Sequence, residues 1–160
     1  MNNMNKDKLK EFVNALDALN DDIKNMDVNR GYCEEPECGT SGSHPGLIYI
    51  VAEELPELKY IYKRFHFPGY LIEDSFPWYH WAGTLANFLG FKDRIGLLDW
   101  AKDNPKLWGN KYGDYMFSYE SWQAFTNSRY KKLTHIDIIN HWKQVLKNIE
   151  EEGVKNDEQR

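Results

Sequence analysis

A chain of 160 residues with 41% hydrophobic content is large enough for one core and fits a single domain. A net charge of −5 excludes broad nucleic-acid binding, which needs a basic field; 20 basic against 25 acidic residues is also too even a balance for a mimic of DNA. Two cysteines are too few for a disulfide framework, and with a polar N-terminus and no run of membrane-spanning length the sequence points to a cytoplasmic protein with reduced thiols.

Helical spacing begins early. Leu9, Phe12, Val13, Leu16, Leu19 and Ile23 make one apolar stripe, with Asn5 as its N-cap, and predict a helix from Lys6 to Asn25. A polar loop follows, from Met26 to His44. Pro45 then stands where a helix begins, ahead of the stripe Leu47, Ile48, Val51, Ala52 and Leu55. Pro56 interrupts or restarts this helix, and Leu58, Ile61 and Tyr62 extend it. Tyr70–Ile72 reads as a short extended piece. Pro77 opens another helix, with Trp78, Trp81, Ala82, Leu85, Phe88 and Leu89 inward and Gly90 as its stop.

Asp93 caps a helix holding Ile95, Leu98 and Ala101. Asn104-Pro105 reads as an N-cap and first-turn pair for one turn carrying Leu107 and Trp108. Ser118 caps a short helix with Trp122 and Phe125. In the last helix, Thr134 and Asp137 resemble a capping box ahead of Ile138, Ile139, Trp142, Val145, Leu146 and Ile149. The expected fold is all-α: one domain over residues 1–151, a bundle of roughly five to seven helices with one minor β element, and a disordered tail over 152–160.

The loop carries the candidate chemistry. Cys33-x4-Cys38-x5-His44 supplies three zinc-ligand types, and a structural site would take a fourth from His66 or His80. Structural zinc loops use tighter cysteine pairs, so the zinc signal is weak and the plainer reading is a polar loop with Cys38 packed as a small hydrophobe. A nucleophilic thiolate with His44 as base is a second chemistry, opposed by the like charge of Glu34, Glu35 and Glu37. Gly39–Ser43 offers backbone N–H groups and the hydroxyls of Thr40, Ser41 and Ser43 just ahead of a helix, as phosphate sites do. The plainer alternative is that Ser43 or His44 simply caps that helix.

The segment Cys38-Gly39-Thr40-Ser41-Gly42-Ser43-His44-Pro45-Gly46 resembles a motif of small uncharacterised phage and bacterial proteins, Cys-Gly-Thr-x-x-Cys-x-x-Gly before an apolar helix. Ala86-Asn87-Phe88-Leu89-Gly90-Phe91 is similar to their later Leu-Gly-Leu helix end. Ser43 stands where the motif has its second cysteine, which removes a paired-thiol role unless Cys33 substitutes. The resemblance implies a phage or mobile-element origin and no particular mechanism.

Aromatic residues make up 15% of the chain, as core or as contact surface. Trp78, Trp81 and Trp108 read as core. Tyr79, His80, Tyr112 and Tyr115 lie on the opposite phase or in a loop, where they would stack a planar ligand or dock a protein. Arg129–Lys132 reads as a solvated loop. His135 and His141, roughly 240° apart around a helix axis, make no metal pair and read as surface or boundary residues.

The absence of a catalytic constellation points away from an enzyme. The expected function is a non-enzymatic accessory or counter-defence protein that binds a host protein or a small phosphorylated, nucleotide-like ligand. Its contacts would be Thr40, Ser43, His44, Tyr79, His80, Tyr112 and Tyr115. The alternatives are a zinc-stabilised module or metal-dependent hydrolase using Cys33, Cys38 and His44, and an oligomeric structural protein.

Overall fold

The computed structural model describes residues 3–25, 44–65, 77–109 and 134–158, with backbone alone for 44–46, 49, 64–65, 77–81 and 154–158. Among the described residues there are eight helices and no strand: α1 Lys6–Asp17, α2 Asp21–Lys24, α3 His44–Ala52, α4 Pro56–Phe65, α5 Pro77–Phe88, α6 Arg94–Asp103, α7 Pro105–Trp108 and α8 His135–Glu158. The fold is all-α, as the periodicity predicts. Tyr70–Ile72, expected to be extended, and the Ser118 helix lie outside the described residues.

The apolar stripes define the packing. Leu9, Phe12, Val13 and Leu16 of α1, Leu47, Ile48 and Val51 of α3, Leu85 and Leu89 at the end of α5, and Ile138, Ile139, Trp142 and Val145 of α8 share one buried cluster. Helix α1 lies against α8, α4 against α5, and α5 against α6, with α3 touching α1, α4, α5 and α8. Trp142 is fully buried at the centre. It meets Phe12 edge-on at 5.4 Å between ring centroids and Trp108 at 5.2 Å, the T-shaped geometry that aromatic quadrupoles favour.

Local chemistry sets the ends. The Asn5 side chain accepts a hydrogen bond from the Lys8 amide at 3.1 Å, and Asp93 accepts from Gly96 at 2.9 Å, two side-chain N-caps. Gly90, at φ +103°, ends α5; its amide donates to Asn87 and the Phe91 amide to Ala86, a Schellman pair with Phe91 buried behind it. The Asn5 amide then donates to the Leu89 carbonyl at 2.8 Å, pinning the start of α1 to the end of α5.

Several expectations are corrected. The single helix predicted over Lys6–Asn25 breaks after Asp17. Asn20 caps a new turn, its side chain accepting from the Ile23 amide at 3.0 Å, a role asparagine favours over helix interior. In α6 the inward residues are Leu97, Trp100 and Ala101, while Ile95 is exposed. Asn104 makes no side-chain cap for α7; its amide donates back to the Trp100 carbonyl at 2.8 Å and closes α6 instead.

At Thr134 the capping box is half made. Asp137 reaches back to accept from the Thr134 amide at 2.9 Å, while the Asp137 amide donates to the Thr134 carbonyl rather than to its hydroxyl. The helix also runs on to Glu158, past the tail boundary expected at 152. Glutamate and lysine are good helix formers, and extending a helix already anchored in a core costs little per residue.

Candidate functional site

Helix α1 has two working faces. One carries Leu9, Phe12, Val13 and Leu16 into the core. The flank beside it carries Lys8, Glu11, Asn14 and Ala15 into a surface cleft of about 520 Å³. The opposite wall is the turn between α3 and α4, with Glu54, Leu55 and Pro56, followed by Glu57 at the start of α4. Phe88, at the end of α5, closes the base.

The wall depends on Pro56. Proline at the first position of α4 gives up no intrahelical hydrogen bond and ends the run of α3 one short turn earlier. That turn leaves Glu54 and Glu57 exposed on the cleft side, while Leu58 faces the core fully buried.

Three carboxylates line the cleft against one ammonium. Lys8 Nζ bonds to Glu57, lies 3.4 Å from Glu11 Oε2, and sits 5.5 Å from the centroid of the Phe88 ring. Hydrogen bonding to Glu57 above all, against an opposing desolvation and with Glu11 adding to it, holds the Lys8 ammonium above its ordinary pKa. The arrangement is an acidic rim over an apolar floor of Leu55 and Phe88, suited to a cation on an aliphatic stem. Among the described residues no three His, Cys, Asp or Glu side chains gather where they could hold a metal ion.

The residues singled out by the sequence lie elsewhere. Cys33, Cys38, Thr40, Ser43, Tyr112 and Tyr115 are outside the described residues. His44 begins α3, and Tyr79 and His80 fall in the first turn of α5, each described by its backbone alone. His66 and the Arg129–Lys132 run also lie outside the described residues.

The expectation that His135 and His141 are surface or boundary residues is corrected: both are buried. His135 Nδ1 lies 2.9 Å from the Ile23 carbonyl, an acceptor only, so Nδ1 carries the proton and ties α8 to α2. The His141 ring stands edge-on to Trp108 at 4.4 Å. Their different directions around α8 send one histidine to each neighbour.

Sequence reasoning missed Lys8, Glu11 and Glu57. Lys8 and Glu11 show only an ordinary i,i+3 charge pair, and the contact with Glu57 joins residues 49 apart in the chain. No helix among the described residues is long and apolar enough to cross a membrane. The chain matches no protein-family model, no curated protein and no solved structure.

Proposed function

We propose that the chain is a non-enzymatic, cytoplasmic binding protein, of the phage or mobile-element accessory kind that its loop motif suggests, and that it docks a basic segment of a host protein in the α1–α4 cleft. The observation that carries this reading is the excess of carboxylates over ammonium groups above an apolar floor. An arginine or lysine has both parts such a site wants, an apolar stem and a cationic head. A phosphorylated ligand would meet three carboxylates and a lysine already engaged, so the cleft favours the protein partner over a nucleotide.

The test is fluorescence anisotropy with a labelled peptide alternating leucine and arginine, its termini blocked, with ATP as the contrasting ligand. Saturable peptide binding that weakens from about 50 to about 500 mM salt supports the proposal, because the charges are exposed and screened. The double variant Glu11→Gln with Glu57→Gln keeps its helical circular dichroism and loses most of that binding. Binding of ATP but not peptide, or peptide binding untouched in the double variant, overturns it.

A further inference from the structure

We infer that Lys8 is a built-in competitor for the partner's cation, which lowers the affinity of the cleft for any cationic side chain by the same factor. This rests on the cleft being the docking site proposed above. A cationic side chain docking there needs a carboxylate, a second charge partner and an aromatic face. In the free protein all three are already engaged by one residue of the chain: Glu57 and Glu11 by contact with the Lys8 ammonium, Phe88 by its ring beneath it. Lys8 is thus placed as a stand-in for the ligand.

The exchange is physically available. The Lys8 side chain is partly exposed, and its four-carbon stem can swing the ammonium into water without disturbing α1, because the core contacts of that helix are made by Leu9, Phe12, Val13 and Leu16. An incoming lysine would offer the carboxylates no better partner than the one it displaces. An incoming arginine offers a planar fork that can take Glu57 or Glu11 with two parallel hydrogen bonds and stack on an aromatic face. Displacing Lys8 costs a lysine and an arginine ligand the same free energy, so Lys8 lowers both affinities by one factor and any arginine preference comes from the fork itself. Glu54, which makes no ion pair with Lys8, remains on the rim to draw the cation in.

The experiment compares two blocked peptides of equal length, leucine–arginine and leucine–lysine, titrated into the full chain and into its Lys8→Met variant. Methionine keeps an apolar stem of similar length and helix propensity and removes the charge. The expected result is severalfold tighter binding of both peptides to the variant by the same factor, so that any arginine preference of the wild-type chain is unchanged. Wild-type binding that Lys8→Met leaves equal or weakens overturns this inference and spares the docking site. Clearly unequal gains for the two peptides overturn pure competition, since Lys8 would then be acting on the bound peptide. Failure of both peptides to bind either protein overturns the docking site itself. The melting temperature of Lys8→Met, read alongside, checks that the variant is folded at the titration temperature, and Lys8→Gln provides a second neutral side chain for the same comparison.

Discussion

The two faces of α1 obey different physics although they are one residue apart on the same helix. On the inner face, Phe12 meets Trp142 in a dry, fully buried cluster where nearly every contact is apolar. On the flank, Lys8 meets Glu57 and Glu11 in a partly exposed cleft where the contacts are charged and water competes for each. The inner face holds the fold, and the flank is free to hold something else. Ion pairs in such exposed positions add little to stability, so the carboxylates there can be changed with little cost to the fold, which lets the proposed docking be tested apart from it.

Substitutions can pull the two faces apart. The largest effect is expected at Trp142→Ala, which empties the centre of the core between α1, α7 and α8 and costs about 3–5 kcal/mol in chemical denaturation; a loss under about 1 kcal/mol would show that the inner face is not the keystone. Next is Gly90→Ala. A side chain at φ +103°, with its Cβ 3.4 Å from both the Asn3 carbonyl oxygen and Asn5 Cβ, strains the turn that pins α1 to α5, and about 1–3 kcal/mol of stability should go with it. Asn5→Ala removes the cap of α1 and should cost about 1 kcal/mol by the same assay.

Glu57→Gln reverses the pattern. The denaturation midpoint stays near that of the wild type, while binding of the arginine peptide weakens severalfold; a large stability loss would return the cleft to a structural role.

The smallest effect lies at the far end of α1. A hydrogen bond from Lys143, reinforced by its charge and that of Lys24, holds the Asp17 carboxyl below its ordinary pKa. A depressed carboxylate lends stability above its unfolded pKa and gives it up as pH falls through the folded one. Asp17→Asn should therefore flatten the acid limb of the stability–pH curve slightly, since the pair is well exposed. An acid limb identical to the wild type would show that the pair contributes nothing.

Much of this division is readable along the chain, and the reasons for the rest are specific. The stripes on α1, α3, α5 and α8 are local patterns with a period of 3.6 residues, and most of their described side chains enter the core, while the side chains of Trp78 and Trp81 lie outside the described residues. The break at Asn20 is also local, but six apolar residues in phase outweigh one asparagine when only spacing is counted. The burial of His135 and His141 is not local. It depends on Ile23 and Trp108 arriving from other helices to receive them. The cleft is less local still, because Glu57 reaches Lys8 only after Pro56 has turned the chain, and nothing in the spacing of either residue announces the other.

The most direct test of the central claim is amide chemical-shift mapping on the isotopically labelled full chain during titration with the arginine peptide and, separately, with ATP. The account predicts peptide-induced shifts centred on Lys8, Glu11, Glu54, Glu57 and Phe88, a quiet inner core at Phe12 and Trp142, and no response of the cleft to ATP. Peptide shifts centred away from those residues, or a cleft that answers ATP and ignores the peptide, would contradict it.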